Sequence, residues 1–281
     1  MTDDVTRYSP EWLKLREGAD AAARATELLD PLRAFLSTVT GTVVIRDLGC
    51  GTGSMGRWLA PRLDGPQYWV LHDHDPNLLH WAVAGTPRAA ADGSRVAVTT
   101  ERGDIARLTM DGLSGTSLVT ASALLDLLTR EELDGLAAAC AWAGCPALLA
   151  LSVAGRVELT PADPLDAEIA AAFNAHQRRV EHDGRALLGP DAVAVASEAF
   201  VRHGLTVRVE SSPWRLGPDE SALTAQWLRG WVHAACEQRP ELAARAEAYL
   251  ARRLAECEAG ELRVVVHHSD LLALPPMAGM S

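Results

Sequence analysis

The 281-residue sequence contains a single lysine, Lys14, and carries a formal net charge of -11. A chain with that balance has no long-range field for a polyanion, so DNA, RNA and an acidic membrane face are not expected partners; a small molecule is. The arginines that carry the positive charge accompany many alanines, and the bias reads as coding composition rather than a phosphate-binding design. Nowhere do the about 18 unbroken apolar residues of a membrane-spanning helix occur. The first residues, Met1-Thr2-Asp3-Asp4, lack the basic and apolar regions of a secretory signal. A soluble, cytoplasmic protein is expected. Five cysteines, Cys50, Cys140, Cys145, Cys236 and Cys257, form no CxxC pair and no zinc-like spacing with histidine, which fits a reduced compartment. No carboxylate cluster reads as a magnesium site, so no metal is expected.

What is present is 48% hydrophobic residues, enough for one large core. Behind the Ser9-Pro10 start signal, Trp12, Leu15, Ala19, Ala22 and Ala23 fall at helical spacing. From residue 42 to about 155, short β-rich runs alternate with helical stretches. Strands are predicted at 42–47, 68–73, 95–99, 117–121 and 147–153, with helices at 54–62, 76–84 and 130–141. Such alternation is the signature of a parallel sheet with crossover helices. Beyond it lie helices predicted at 164–180 and 190–202, a strand at 205–214, two helices broken at Gln238-Arg239-Pro240, and a strand at 262–268. The chain therefore divides into N-terminal cap helices (1–40), a Rossmann-like core (41–154), a helical lid (155–204) and C-terminal strands with a helical insertion (205–281), all in one domain.

The segment Asp47-Leu48-Gly49-Cys50-Gly51-Thr52-Gly53 joins the first strand to a helix and places glycine at alternate positions, where backbone without a Cβ can turn sharply and approach a ligand. The helix start that follows offers unpaired N–H groups to a carboxylate. Asp47 adds an acceptor for an ammonium group. The spacing Gly51-x-Gly53-x-x-Gly56 also satisfies the dinucleotide fingerprint, with Asp73 about 20 positions on. Against that reading, Asp47 would repel a pyrophosphate.

This segment resembles motif I of the class I S-adenosylmethionine-dependent methyltransferases, an acidic residue followed by x-G-x-G-x-G. The resemblance covers roughly residues 40 to 155. It implies a three-layer α/β Rossmann-like sandwich, with a seven-stranded, mostly parallel sheet whose last strand is antiparallel. It also implies S-adenosylmethionine as cofactor. Asp73, closing the second strand, then takes the ribose hydroxyls, with His74 beside it; Asp104 receives the adenine amino group and Ile105 packs on the ring. Cys50 in the loop and Ser122 after the fourth strand complete the cofactor set. Asp75, two residues past Asp73, competes for the ribose role, but Pro76 marks it as a helix cap.

For the acceptor, the resemblance points beyond strands four and five. The sequence there has neither the Asp/Asn-Pro-Pro-aromatic motif of exocyclic-nitrogen enzymes nor the Pro-Cys of cytosine enzymes, which favours a small molecule methylated on oxygen or a basic nitrogen. His176 is the candidate base, with Gln177, Asp126 and Trp214 as candidate acceptor contacts. Trp227 and Trp231 make an apolar stripe that reads first as core. Arg16, Asp20 and Arg24 share a helix face and read first as a solvated ion-pair ladder; alternatively, Arg16 or Arg24 closes over the cofactor carboxylate. Two other readings of the chain are an NAD(P)-linked oxidoreductase and a non-catalytic cofactor-binding protein.

Overall fold

A computed structural model describes residues 9–103 and 110–276. The first five strands, β1 (Val43–Leu48), β2 (Gln67–Asp73), β3 (Val96–Arg102), β4 (Leu118–Ser122) and β5 (Ala147–Thr160), are joined by α3 (Ser54–Leu59), α4 (Pro76–Gly85) and α5 (Arg130–Ala143). After β5 come α6 (Asp166–Gln177), α7 (Ala192–Arg202), β6 (Thr206–Ser211), β7 (Trp214–Leu216), α8 (Ser221–Gln238), α9 (Ala243–Glu258) and β8 (Arg263–Leu274). Two helices, α1 (Pro10–Ala23) and α2 (Leu29–Leu36), precede the sheet. The strands lie in the order β3-β2-β1-β4-β5-β8-β6, with the short β7 also on β8. Pairs up to β5 are parallel and all three made by β8 are antiparallel. This is the mostly parallel sheet with an antiparallel last strand that the motif implied.

Alternation along the central strands buries both faces. Ile45, Trp69, Leu71, Leu118 and Leu148 pack with α2, α3 and α4 on one side, while Leu48, Val119, Ala121, Ala147 and Leu149 pack with α5 and α7 on the other. Helix α7 presents Val195, Ala196, Ala199 and Phe200 to that second face. It is thus a crossover helix of the sandwich, although the sequence grouped it with the lid. Local signals agree with the ends of the elements: Thr129 and Glu132 form a reciprocal cap on α5, and Gly144 closes it in the left-handed conformation.

Two strands run further than their apolar stretches suggest. β5 continues to Thr160 and β8 starts at Arg263 and reaches Leu274, the two pairing along this length with register shifts between Leu149 and Ser152 and between Val153 and Val157. Their far halves carry a third core with α6, α8 and α9, containing Ile169, Trp214, Trp231 and Tyr249. Trp227 and Trp231 stack there at 5.0 Å, so the stripe is core. The single strand predicted at 205–214 is divided: β6 ends at Ser211, and β7 begins at Trp214 on a different stretch of β8. No helix among the described residues is long and apolar enough to cross a membrane.

Candidate active site at the glycine loop

Strand β1 delivers Asp47 to the carboxyl edge of the sheet, the edge where ligands bind in open α/β folds. Beyond it Gly49, Gly51 and Gly53 take φ of 59°, 54° and 84°. These are left-handed values that side chains rarely adopt. Space is also restricted at Gly53, where an added Cβ would lie 3.1 Å from the Ala82 Cα on α4. The loop is covered from above by α1 and by the turn after β4. A Cβ at Gly51 would meet a Leu13 methyl at 3.1 Å, and one at Gly49 a Leu124 methyl at the same distance.

Around this loop the charged groups are buried. Asp47 is 1% exposed; its Oδ1 accepts a 2.7 Å hydrogen bond from the Thr120 hydroxyl, and its Oδ2 has no partner among the described residues. Burial pushes its carboxyl up to about 7, against the Thr120 hydrogen bond and the charge of Arg24. Asp73 is tied to the loop: Gly51 N–H donates to Oδ2 at 2.9 Å and Asp75 N–H to Oδ1 at 3.0 Å. His74 is half exposed, with Nδ1 at 3.3 Å from Asp73 Oδ1. Asp75 caps α4 by accepting from Asn77 N–H, which leaves Asp73 as the carboxylate held at the loop. Cys50 is buried, and its thiol is pushed up by that burial and by Asp47 and Asp73. Asp104 and Ile105 lie outside the described residues.

The face of α1 that read as a solvated ladder is in fact interior. Arg24 is 3% exposed; its Nη2 donates at 3.1 Å both to the Ser54 hydroxyl, at the start of α3, and to the Ser122 hydroxyl, at the end of β4. Its Nε is buried without a partner. Asp20, also buried, accepts from Arg16 and from the Trp214 indole N–H at 2.9 Å. The Arg16 guanidinium lies 4.9 Å above the Trp214 ring. Helical spacing gave the grouping but not its burial, because the partners come from β4, α3 and β7.

Asp270 is a residue that sequence reasoning missed. One oxygen accepts from Leu151 N–H at 2.7 Å and the other from Ala25 N–H at 2.9 Å. It thereby ties the α1–α2 junction to the β5 bulge, where Leu151 has a φ of 56°. The available signal was a lone carboxylate within the apolar run of β8. His268, two residues earlier, is buried against Trp214, and its burial and the Arg16 charge press its imidazole down to about 3.

Of the acceptor candidates, Asp126 lies in the turn Leu125–Leu127 immediately after β4, beside the loop. Trp214 lies under Arg16 of α1. Gln177 ends α6 with its Oε1 buried and unpartnered. His176 points its Nε2 at Glu237 of α8, 3.2 Å away, and no contact joins it to the loop among the described residues.

No family model matches this sequence, and no curated protein does. Solved structures of similar fold include a cyclopropane synthase from Mycobacterium tuberculosis, 13% identical, covering 96% of this chain and 100% of that one at a TM-score of 0.46. Another is a methyltransferase from Geobacter sulfurreducens solved with S-adenosylhomocysteine, at 18% identity, 95% and 99% coverage and a TM-score of 0.43. A third is a Haemonchus contortus phosphoethanolamine N-methyltransferase solved with S-adenosylmethionine, at 16% identity and a TM-score of 0.47. The match to it covers 98% of this chain but 59% of the nematode enzyme.

Proposed function

We propose that the protein is an S-adenosylmethionine-dependent methyltransferase acting on a small-molecule acceptor. The observation that carries this reading is the pair of incompletely satisfied buried ions at the head of the glycine loop, Asp47 with a bare Oδ2 and Arg24 with a bare Nε. Buried polar atoms of this kind are ordinarily satisfied, so each marks a place for a ligand atom. A carboxylate on β1 and a guanidinium at the end of α1, both bordering the glycine loop, suit an amino acid's ammonium and carboxylate. A dinucleotide pyrophosphate would meet the charge of Asp47 instead. Asp73 suits a ribose, because it is held by backbone donors of the loop and of its own turn and keeps lone pairs for two vicinal hydroxyls.

In this reading Asp47 and Arg24 grip the amino-acid end, Gly49 to Gly53 let the backbone approach, and Asp73 sets the ribose. Ser122 and Ser54 fix the Arg24 guanidinium through their hydroxyls. Bound there, the cofactor supplies an electrophilic methyl on a sulfonium, and the protein's part is alignment of the acceptor with that methyl. Calorimetry with S-adenosylmethionine, S-adenosylhomocysteine and NAD tests the assignment. Binding of the first two and not of NAD is expected; NAD binding without either sulfur ligand would overturn it.

A further inference from the structure

We propose that Asp270 is a positioning residue that sets the Arg24 guanidinium for the carboxylate of the cofactor, an inference that rests on the cofactor reading above. Antiparallel pairing of β5 with β8 joins Leu149 to Leu271 and Ser152 to Ser269, so two residues of β5, Ala150 and Leu151, stand opposite one of β8, Asp270. A bulge of this kind leaves its extra residue without a ladder partner. The Asp270 side chain, 2% exposed, supplies one: Oδ1 accepts the Leu151 N–H at 2.7 Å, and Oδ2 accepts the Ala25 N–H at 2.9 Å. Two converging N–H donors call for a group with two acceptor oxygens and no hydrogen, which among side chains of this length is aspartate alone.

Both bonds lead to Arg24. Ala25 is its neighbour in the chain at the end of α1, so Oδ2 holds the Arg24 backbone. Leu151 follows Ala150, which lies in register with Ser122 and whose carbonyl accepts the Ala123 N–H at 2.9 Å. Ser122 in turn accepts from Arg24 Nη2 at 3.1 Å. These hydrogen bonds close a ring that leaves Arg24 by its backbone and returns by its guanidinium, passing through Asp270, the bulge of β5 and the end of β4. Ala123 and Leu151, both members of the ring, are the two non-glycine residues with a left-handed φ among the described residues, at 53° and 56°. Such backbone persists only where the surrounding structure holds it, and here it is held at the sheet edge that borders the glycine loop. A free arginine side chain would have to be ordered by its ligand. Fixed at both ends, with Nε left bare, Arg24 meets a carboxylate without that cost.

The test compares S-adenosylhomocysteine with methylthioadenosine, which keeps the adenosine and the sulfur and lacks the amino acid. Asp270→Asn turns an amide N–H toward one of the two backbone donors and opens the ring. Its calorimetric Kd for S-adenosylhomocysteine is expected to rise about tenfold, while that for methylthioadenosine stays within about twofold. Equal losses for the two ligands would mean a merely structural role and overturn the inference, as does an unchanged Kd for S-adenosylhomocysteine. Should Asp270→Asn not fold, the wild-type protein decides the matter through amide hydrogen exchange. At equal saturation, S-adenosylhomocysteine is expected to slow Ala25 and Leu151 together, and several-fold more than methylthioadenosine does; equal slowing by the two ligands overturns the inference with the cofactor reading intact. Absence of S-adenosylhomocysteine binding by the wild-type protein overturns the cofactor reading itself, and the inference with it.

Discussion

On the proposed function, Asp47 would make the cofactor site a pH-dependent receptor. In the free protein its carboxyl titrates at about 7 because it is fully enclosed, with Thr120 on one oxygen and nothing on the other. A cofactor ammonium placed on Oδ2 requires the ionised form, so binding below pH 7 expels a proton. By linkage, affinity then rises with pH by up to tenfold per unit below 7 and levels off above it. Between pH 6 and pH 8 the ionised fraction of a group titrating at 7 grows from about 0.09 to about 0.91, so Kd for S-adenosylhomocysteine should tighten roughly tenfold. Calorimetry in buffers of different ionisation enthalpy reads both the affinity and the released proton. Stability moves oppositely. The folded value lies above the ordinary 3.8, so the folded state binds the extra proton. The resulting stabilisation is complete below about pH 4 and is lost as pH rises through about 7, a change of up to about 4 kcal/mol. Asp47→Asn should flatten both dependences. A Kd constant from pH 6 to pH 8, with no proton released, would refute this account of the loop.

Three further outcomes follow from the packing. Gly53→Ala puts a Cβ on a backbone at φ 84° and 3.1 Å from Ala82, and should cost about 1–3 kcal/mol in a urea melt and weaken cofactor binding; an unchanged midpoint would remove the steric reason for glycine there. Arg253, 1% exposed, donates to both oxygens of Asp166, to Glu256 and to the Pro161 carbonyl, so Arg253→Ala strands two half-buried carboxylates and should lose about 1–3 kcal/mol; an unchanged midpoint would contradict this. For His176→Ala, the base role read from sequence predicts at least a tenfold fall in turnover; with Nε2 directed at Glu237 we expect turnover within twofold and a lowered thermal midpoint. A tenfold loss at unchanged cofactor affinity would return His176 to the chemistry.

Much of the core was legible in the sequence because its signals are local. A β-rich run ending in Asp47, glycines at alternate positions and a helix start specify a strand, a turn and an anion-facing helix end within ten or so residues, and all three glycines do adopt left-handed φ. Pro76 marked Asp75 as a cap for the same reason. The charged groups around the loop were less legible, because their partners come from distant segments. Arg24 reads as a surface arginine until β4 brings Ser122 and α3 brings Ser54 against it.

What the sequence by itself determined, then, is the sheet's alternating rhythm and the loop from Asp47 to Gly53, since backbone preference and strand period act between neighbours. The tertiary structure decided which charges are buried and which are left unpaired. Asp270 reaches Ala25 and Leu151 only because β8 inserts between β5 and β6. Asp47 and Arg24 are enclosed, each with one atom left unsatisfied, only because the end of α1, the start of α3 and β4 close around them. Desolvation and charge balance depend on everything folded around a group, and no local pattern contains that.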